Sequence, residues 1–376
     1  MRGKAGSCHE FIAAEIASAG PIPFARFMEL ALYSKEHGYY ASGIPRVGRS
    51  GDFFTGVSVG PALGLVLSRH VLAAWKAMGH PSDFCIVEQG ANDGSLAGDL
   101  LGALAATDLG DCVHYHIIEP LPAWRSRQQA VLGGDSRVKW FDSLENSPRF
   151  HGIHISNELV DALPFHIVSA VENGWQELLV EAWEGGFRFL GGPPSDAVRD
   201  MVAKLPPRPP GYLTELRPSV SEWIASVAER LLSGYVLVID YGMESDRLLD
   251  LSRSRGTFRA YQGHHCDENV LAEPGCRDLT AHVDFTELAA AACRVGLRED
   301  GWTDQHHFVI RTLAGWLRER EGHHPDRLLR GIKMLMHPST MGLQFHVMGM
   351  RTSDVPGGAL PGFSQAPGLV PTSTIG

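Results

Sequence analysis

The chain has 376 residues, 44% hydrophobic and 20% charged, a balance that excludes a fibrous or largely disordered protein and allows one large domain with insertions or two domains. Lys and Arg number 33 against 43 Asp and Glu, a formal net charge of −10, which argues against a nucleic-acid partner held through its phosphates. No apolar run reaches the length of a membrane span, "CHEFIAAEIASAG" is unlike a secretory or transit leader, and the cysteines contain no C-x-x-C pair, so the expectation is a reduced, cytoplasmic chain without membrane contact or disulfide framework.

From Phe11 to Tyr33 the apolar positions recur at helical spacing, with "GPIPF" (Gly20 to Phe24) as a break between two helices. "HGYYASGIPRVGRSGDFFTG" has no helical period and reads as an ordered loop, after which Pro61 to Met78 is helical again. Then strands and helices alternate: "FCIVE", a helix from Ser95, "VHYHIIE", a helix from Pro122 to Leu132, "RVKWF" and "GIHIS". This pattern predicts an α/β fold with right-handed crossovers and a mostly parallel sheet, whose ligands bind at the carboxyl ends of the strands.

After Pro164, Asn173-Gly174 between two strand-like runs predicts an inserted hairpin. The lobe spans about 165–215 and holds the linker "KLPPRPPG". Ser219 and Glu222 form a capping box, "YVLVIDYG" suits a central parallel strand, and Asp284 with Glu287 caps a further helix. "QFHVMGM" reads as the last strand. The expected organisation is an N-terminal helical extension and lid loop over 1–80, a core over 81–352 and a disordered tail over 353–376.

The loop Glu88-Gln89-Gly90-Ala91-Asn92-Asp93-Gly94 joins the first core strand to its helix. A P-loop requires a lysine after the last glycine, and a dinucleotide site requires G-x-G-x-x-G; neither is present, and Glu88 would repel a diphosphate. S-adenosylmethionine has no phosphate but carries an ammonium, a sulfonium and a ribose diol, which acids beside a close-approaching backbone suit. Glu119, closing the second strand, is placed for the ribose hydroxyls, as an acid there serves the ribose of NAD. Asp142, just past "VKWF", is placed for the adenine amino group. Taken singly, Glu119 also reads as a solvated acid before Pro120, Asp142 as an N-cap, and the glycine loop as a tight turn.

The blocks "GPIPFARFMELALYSKEHGYY", "GRSGDFFTGVSVGPALG", "SNELVDALPFH", "IDYG", "GTFRAYQGHH", "EPGCRDLTAHVDF" and "PSTMGLQFHVM", in this order, resemble the MidA-like methyltransferases, the mitochondrial complex I assembly factor and its bacterial relatives. The resemblance spans roughly Gly20 to Met350. It implies a class I, Rossmann-like methyltransferase with a helical N-terminal extension and an inserted lobe, S-adenosyl-L-methionine as cofactor, and N-methylation of a protein arginine. The family loop usually reads E-x-G-P-G-x-G; here proline and the middle glycine are absent, and Asn92, at ease at positive φ, takes over the bend.

Gly90, Asn92 and Gly94 would then approach the cofactor with Glu88, Glu119 and Asp142, while Asp52 and Thr55 in "GDFFT" match the family's loop over it. Methyl transfer is an in-line displacement, so the enzyme must align groups and exclude water. A guanidinium or amine nucleophile also needs carboxylates, and Asn157, Glu158 and Asp161 follow the "GIHIS" strand, with Glu158 and Asp161 on one face of a helical turn. His264 and His282 match family positions but read as structural, and His264-His265-Cys266 lacks a second ligand pair, so no metal is expected. The expected partner is an acceptor protein or small molecule, a homodimer being compatible with the same fold. A small-molecule methyltransferase, or a cofactor-binding assembly factor without turnover, remains the alternative.

Overall fold

Alternate side chains of a strand leave its sheet on opposite faces. In the computed structural model, which describes residues 2–42, 56–263, 265–319, 325–358, 360–364 and 369, both faces of the central sheet are apolar. Ile86, Tyr115, Ile117, Ile153, Ile155, Leu237 and Ile239 enter one buried cluster; Cys85, Val87, Ile118, Val236 and Val238 enter another. A sheet so patterned must be covered twice. Helices Ala62–Ala77, Ser95–Leu104 and Gln305–Glu319 supply one cover, Ser219–Arg230 and Phe285–Arg294 the other.

The sheet runs in the order Arg298–Asp304, Phe345–Arg351, Leu231–Met243, Phe150–Asn157, Phe84–Gln89, Val113–Ile118, Val138–Phe141. Phe345–Arg351 is antiparallel to both its neighbours, and the other pairs are parallel. The strand order reverses between Phe84–Gln89 and Phe150–Asn157, so the crevice beyond their carboxyl ends is the topological switch point where such sheets take ligands.

Above that crevice sits a second unit. His166–Val171 and Gly174–Trp183 form a hairpin with Val171 opposite Gly174, extended by Gly186–Gly192 and Leu213–Leu216. The "GPIPF" break is itself a short strand, Ile22–Pro23, paired with Val180 and Leu179 of this hairpin. Helix Phe24–Tyr33 follows, and Phe24, Phe27, Phe165, Ile167 and Val180 share one cluster with Ala260 and Leu279. Those last two belong to an antiparallel ribbon, Arg259–Gln262, His265–Asp267 and Asp278–Thr280. Extension, hairpin sheet and ribbon thus pack as one body.

Two expectations are corrected. Ser219 does not cap its helix: Pro218 holds the N-cap position, and the Ser219 hydroxyl donates to the Pro164 carbonyl at 2.7 Å instead of accepting from a helix N–H. Nor is the described part of the C-terminal tail free, because Val355, Leu360 and Phe363 are buried in the core. The Phe363 ring fills the room left by two glycines: a Cβ on Gly301 or Gly349 would come within 2.5 Å or 2.3 Å of it. Among the described residues no helix is long and apolar enough to cross a membrane.

Candidate active site

The loop after Phe84–Gln89 turns through three left-handed residues, Gly90 (φ 82°), Asn92 (φ 48°) and Gly94 (φ 86°). Each has a separate cause. A Cβ on Gly90 would lie 3.2 Å from Leu159 Cδ1, and one on Gly94 3.2 Å from Gln128 Cα, so both glycines permit close approach. Asn92 is the non-glycine residue that best tolerates this region. The loop closes with Gly94 N donating to Ala91 O at 2.9 Å and Ser95 N to Asp93 Oδ1 at 3.0 Å.

Two buried acids flank it. Glu88 accepts a hydrogen bond from Tyr115 OH at 2.7 Å, and burial pushes its carboxyl up to about 7. Glu119 accepts from Leu121 N and from Gln128 Nε2, each at 2.9 Å, and burial raises its carboxyl too. Gln128 Nε2 also donates to Asn92 O at 2.8 Å while its Oε1 accepts from Trp140 Nε1 at 3.0 Å. One glutamine therefore couples the Glu119 carboxylate to the Asn92 bend. A carboxylate has about four acceptor sites, so after these two bonds Glu119 still has capacity for a diol.

Asp142 does not join them. It is paired with Arg125, 70% of its side chain is exposed, and it lies outside the cleft lining. Arg125 starts from the helix after Glu119 and draws the carboxylate outward, which corrects the adenine assignment.

On the other side of the switch point, Asn157 ends its strand and Glu158 turns sharply at φ 55°. The segment is a pair of i→i+3 turns, Ala162 N to Leu159 O and Leu163 N to Val160 O, rather than the expected helical turn. Hydrogen bonds with two buried side chains, Asp240 and Arg217, hold it. Asp240 accepts from Val160 N at 2.9 Å, Asp161 N at 3.2 Å and Tyr241 N at 2.9 Å. Arg217 donates to the carbonyls of Asp161, Leu163, Ala281 and His282. Neither was anticipated from sequence; Asp240 was visible as a lone carboxylate in an apolar strand, whereas Arg217 gave no signal.

Glu158 Oε1 accepts from Gly56 N at 3.3 Å and Asn157 Nδ2 at 3.2 Å; burial first, then the Asp161 charge, pushes its carboxyl up to about 8. Asp161 is 4% exposed; its Oδ2 accepts from Tyr241 OH, and its Oδ1 is buried without a partner among the described residues. Burial raises its carboxyl. His282 lines the same wall with its ring 5.6 Å from that of Tyr241, and burial lowers it to about 4, a neutral wall residue rather than a cation.

The N-terminal body forms the roof. Tyr33 OH donates to Ala162 O at 2.7 Å, Tyr40 OH to Asp278 Oδ1 at 2.8 Å, and Trp124 Nε1 to Tyr40 O at 2.9 Å. Sequence reasoning missed Tyr33, Tyr40 and Asp278 as site residues, although all three stand in the blocks that carried the resemblance. Glu88, Gly90, Asn92, Glu119, Asn157, Glu158 and Asp161 line one cleft of about 1140 Å³; Gly94 lies behind it against Gln128. Asp52, Thr55 and His264 lie outside the described residues.

The cleft fits an adenosyl sulfonium compound. Among the described residues neither Glu88 nor Glu119 has an ion-pair partner, and Gly90, which has no Cβ, lines the cleft with them. The Phe84 loop and Glu119 would hold such a cofactor. The fold and this site define a methyltransferase of the doubly wound class.

Residues 66–303 match the family described as "Putative S-adenosyl-L-methionine-dependent methyltransferase", and the chain belongs to that family. A Burkholderia thailandensis protein solved with bound S-adenosyl-homocysteine superposes with a TM-score of 0.87, at 31% identity over 96% of each chain. The Drosophila melanogaster "Protein arginine methyltransferase NDUFAF7 homolog, mitochondrial" is 28% identical over 92% of this chain and 85% of its own length. The human "Protein arginine methyltransferase NDUFAF7, mitochondrial" is 27% identical over 89% and 81%. The chain is an S-adenosyl-L-methionine-dependent methyltransferase. The expectation of a cytoplasmic protein is overturned by these names, since both relatives are named as mitochondrial; it rested on the absence of leader-like residues and of an apolar run of membrane-span length.

Proposed function

We propose that the chain methylates a guanidinium nitrogen of an arginine side chain in an acceptor protein. The observation that carries this reading is the pair Glu158 and Asp161 at the switch point: a half-buried carboxylate beside a buried one whose Oδ1 has no donor among the described residues, in a turn held by Asp240 and Arg217. A buried carboxylate oxygen without a donor costs free energy that a cationic ligand would recover. The relatives' names support the same substrate.

When bound, S-adenosyl-L-methionine supplies an electrophilic methyl group on a cationic sulfur that departs as a neutral thioether. Asp161 and Glu158 orient the guanidinium so that one nitrogen faces the methyl carbon. As the nitrogen–carbon bond forms and the carbon–sulfur bond breaks, the nitrogen loses a proton, and Glu158, with a carboxyl near neutral pH, is matched to accept it. Tyr33, Tyr40 and Trp124 close the roof against water.

The test is transfer of a labelled methyl group to protein in a cell extract, followed by hydrolysis and separation of the amino acids. Label is expected in methylarginine and is expected to vanish with Glu158→Gln. Label confined to a small-molecule fraction, or to another amino acid, overturns the reading.

A further inference from the structure

The cleft has two electrical ends. Its floor is acidic, with Glu158 and Asp161, but its lining also includes Arg247 and Arg253, from the short helices Ser245–Leu248 and Leu251–Arg253 that follow the Leu231–Met243 strand. These cations differ from their neighbours in one respect. Arg255 and Arg259, which do not line the cleft, are both paired with Glu268, whereas among the described residues Arg247 and Arg253 make no ion pair. Asp250, the acid nearest Arg253 in sequence, is turned to Ser252, accepting from its N at 2.8 Å and its Oγ at 2.6 Å. Two guanidinium forks without an ion pair among the described residues therefore face a cleft whose other end holds carboxyl groups, Arg253 staying near enough to Asp250 to help Ser252 lower its carboxyl.

They are badly placed for the cofactor. Glu119 closes the strand Val113–Ile118, and the arginines follow a strand three steps across the sheet, ~14 Å at ~4.8 Å per step. The Glu158 turn lies between, one step from the arginines. Asp161, Tyr241 and His282 link floor to lip in succession: Tyr241 bonds Asp161, its ring meets His282, and Arg253 lies close enough to help burial keep the His282 ring uncharged. A side chain one to three residues from the target, at ~3.3–3.6 Å per extended residue, spans this gap. Exposed Leu343 in the cleft lining suits a peptide rather than a free amino acid.

We propose that Arg247 and Arg253 select the acceptor by gripping a carboxylate close in sequence to the methylated arginine, so that the substrate class is an arginine flanked by Asp or Glu. This rests on the arginine reading above. Guanidinium matches carboxylate in a planar, two-pronged geometry, which makes the lip specific for acids rather than for any polar neighbour.

The experiment measures equilibrium binding of arginine peptides flanked by Glu, Gln or Lys to the full chain saturated with S-adenosyl-homocysteine, and methyl transfer to the same peptides with S-adenosyl-L-methionine. The Glu-flanked peptide is expected to bind about tenfold tighter than the Gln-flanked one, the sum of two partly exposed pairs. R247Q/R253Q is expected to erase that difference, and R247E/R253E to transfer it to the Lys-flanked peptide, with S-adenosyl-homocysteine affinity unaltered throughout. Equal binding of the Glu and Gln peptides overturns the proposal, as does loss of S-adenosyl-homocysteine affinity in R247Q/R253Q, or free L-arginine outbinding every peptide. Flank preference in binding without transfer leaves this recognition standing and removes the methylation reading; transfer without flank preference does the reverse.

Discussion

Replacing Glu119 by Gln changes one oxygen for an NH2 group and removes one charge, and the structure says where each change is felt. Oε1 can keep its bond from Leu121 N, but the new amide would turn a donor toward Gln128 Nε2, also a donor. Gln128 cannot flip to accommodate it without losing both Asn92 O and Trp140 Nε1. The variant therefore loses one charge-assisted bond within the protein, loosens the Asn92 bend and weakens acceptance of the ribose diol. At ~1.5–3 kcal/mol for a hydrogen bond to a charged group, S-adenosyl-homocysteine should bind about 10- to 150-fold more weakly. Isothermal titration of wild type and Glu119→Gln measures this directly, with a thermal unfolding scan to show that the variant is folded. A dissociation constant within about twofold of wild type, in a folded variant, would falsify the placement of the ribose at Glu119.

Four more expectations follow from the same geometry. Because the Glu158 carboxyl stands at about 8 in the unliganded cleft, kcat/KM should rise with pH up to that value and level off above it; a flat profile from mildly acid to alkaline pH removes Glu158 as the base. The same shift has a stability consequence: folded Glu158 (about 8) and Glu88 (about 7) hold protons that the unfolded chain releases near 4.5, so stability falls as pH rises from 4.5 to 8, and Glu158→Gln should flatten that slope in urea titrations. Gly94→Ala forces a Cβ to 3.2 Å from the Gln128 backbone at φ 86°, a cost of about 1–3 kcal/mol, and should weaken cofactor binding through the loop; unchanged affinity and melting temperature would show the packing to be soft. Arg217→Met strips the donors from four carbonyls, those of Asp161, Leu163, Ala281 and His282, and should destabilise by about 3–5 kcal/mol in denaturant unfolding, a near-neutral result meaning that water replaces the guanidinium.

The sequence by itself determined what depends on short-range order. Apolar runs such as "YVLVIDYG" specified strands buried on both faces, their alternation with helices specified the parallel core, and Asp284 capped its helix through Glu287 N as its spacing implied. The Gly90–Gly94 bend was legible for the same reason, since left-handed backbone selects Gly and Asn locally. Helices Gln305–Glu319 and Asp326–Met336 stand beyond the expected elements, although Leu328, Leu329, Ile332, Leu335 and Met336 recur at helical spacing.

Tertiary structure alone decided which charged groups reach the cleft. Asp142 sits at a strand end as an adenine ligand would, yet Arg125, a helix later in space though earlier in sequence, pulls it to solvent. Asp240 and Arg217 lie 79–80 and 54–65 positions from the backbone groups they hold in the Glu158 turn and its neighbour, apart from Tyr241 beside Asp240, and Tyr40 lies 238 from Asp278. An acid's partner over such separations is chosen by how sheet, hairpin and roof pack together, and no residue spacing encodes that packing.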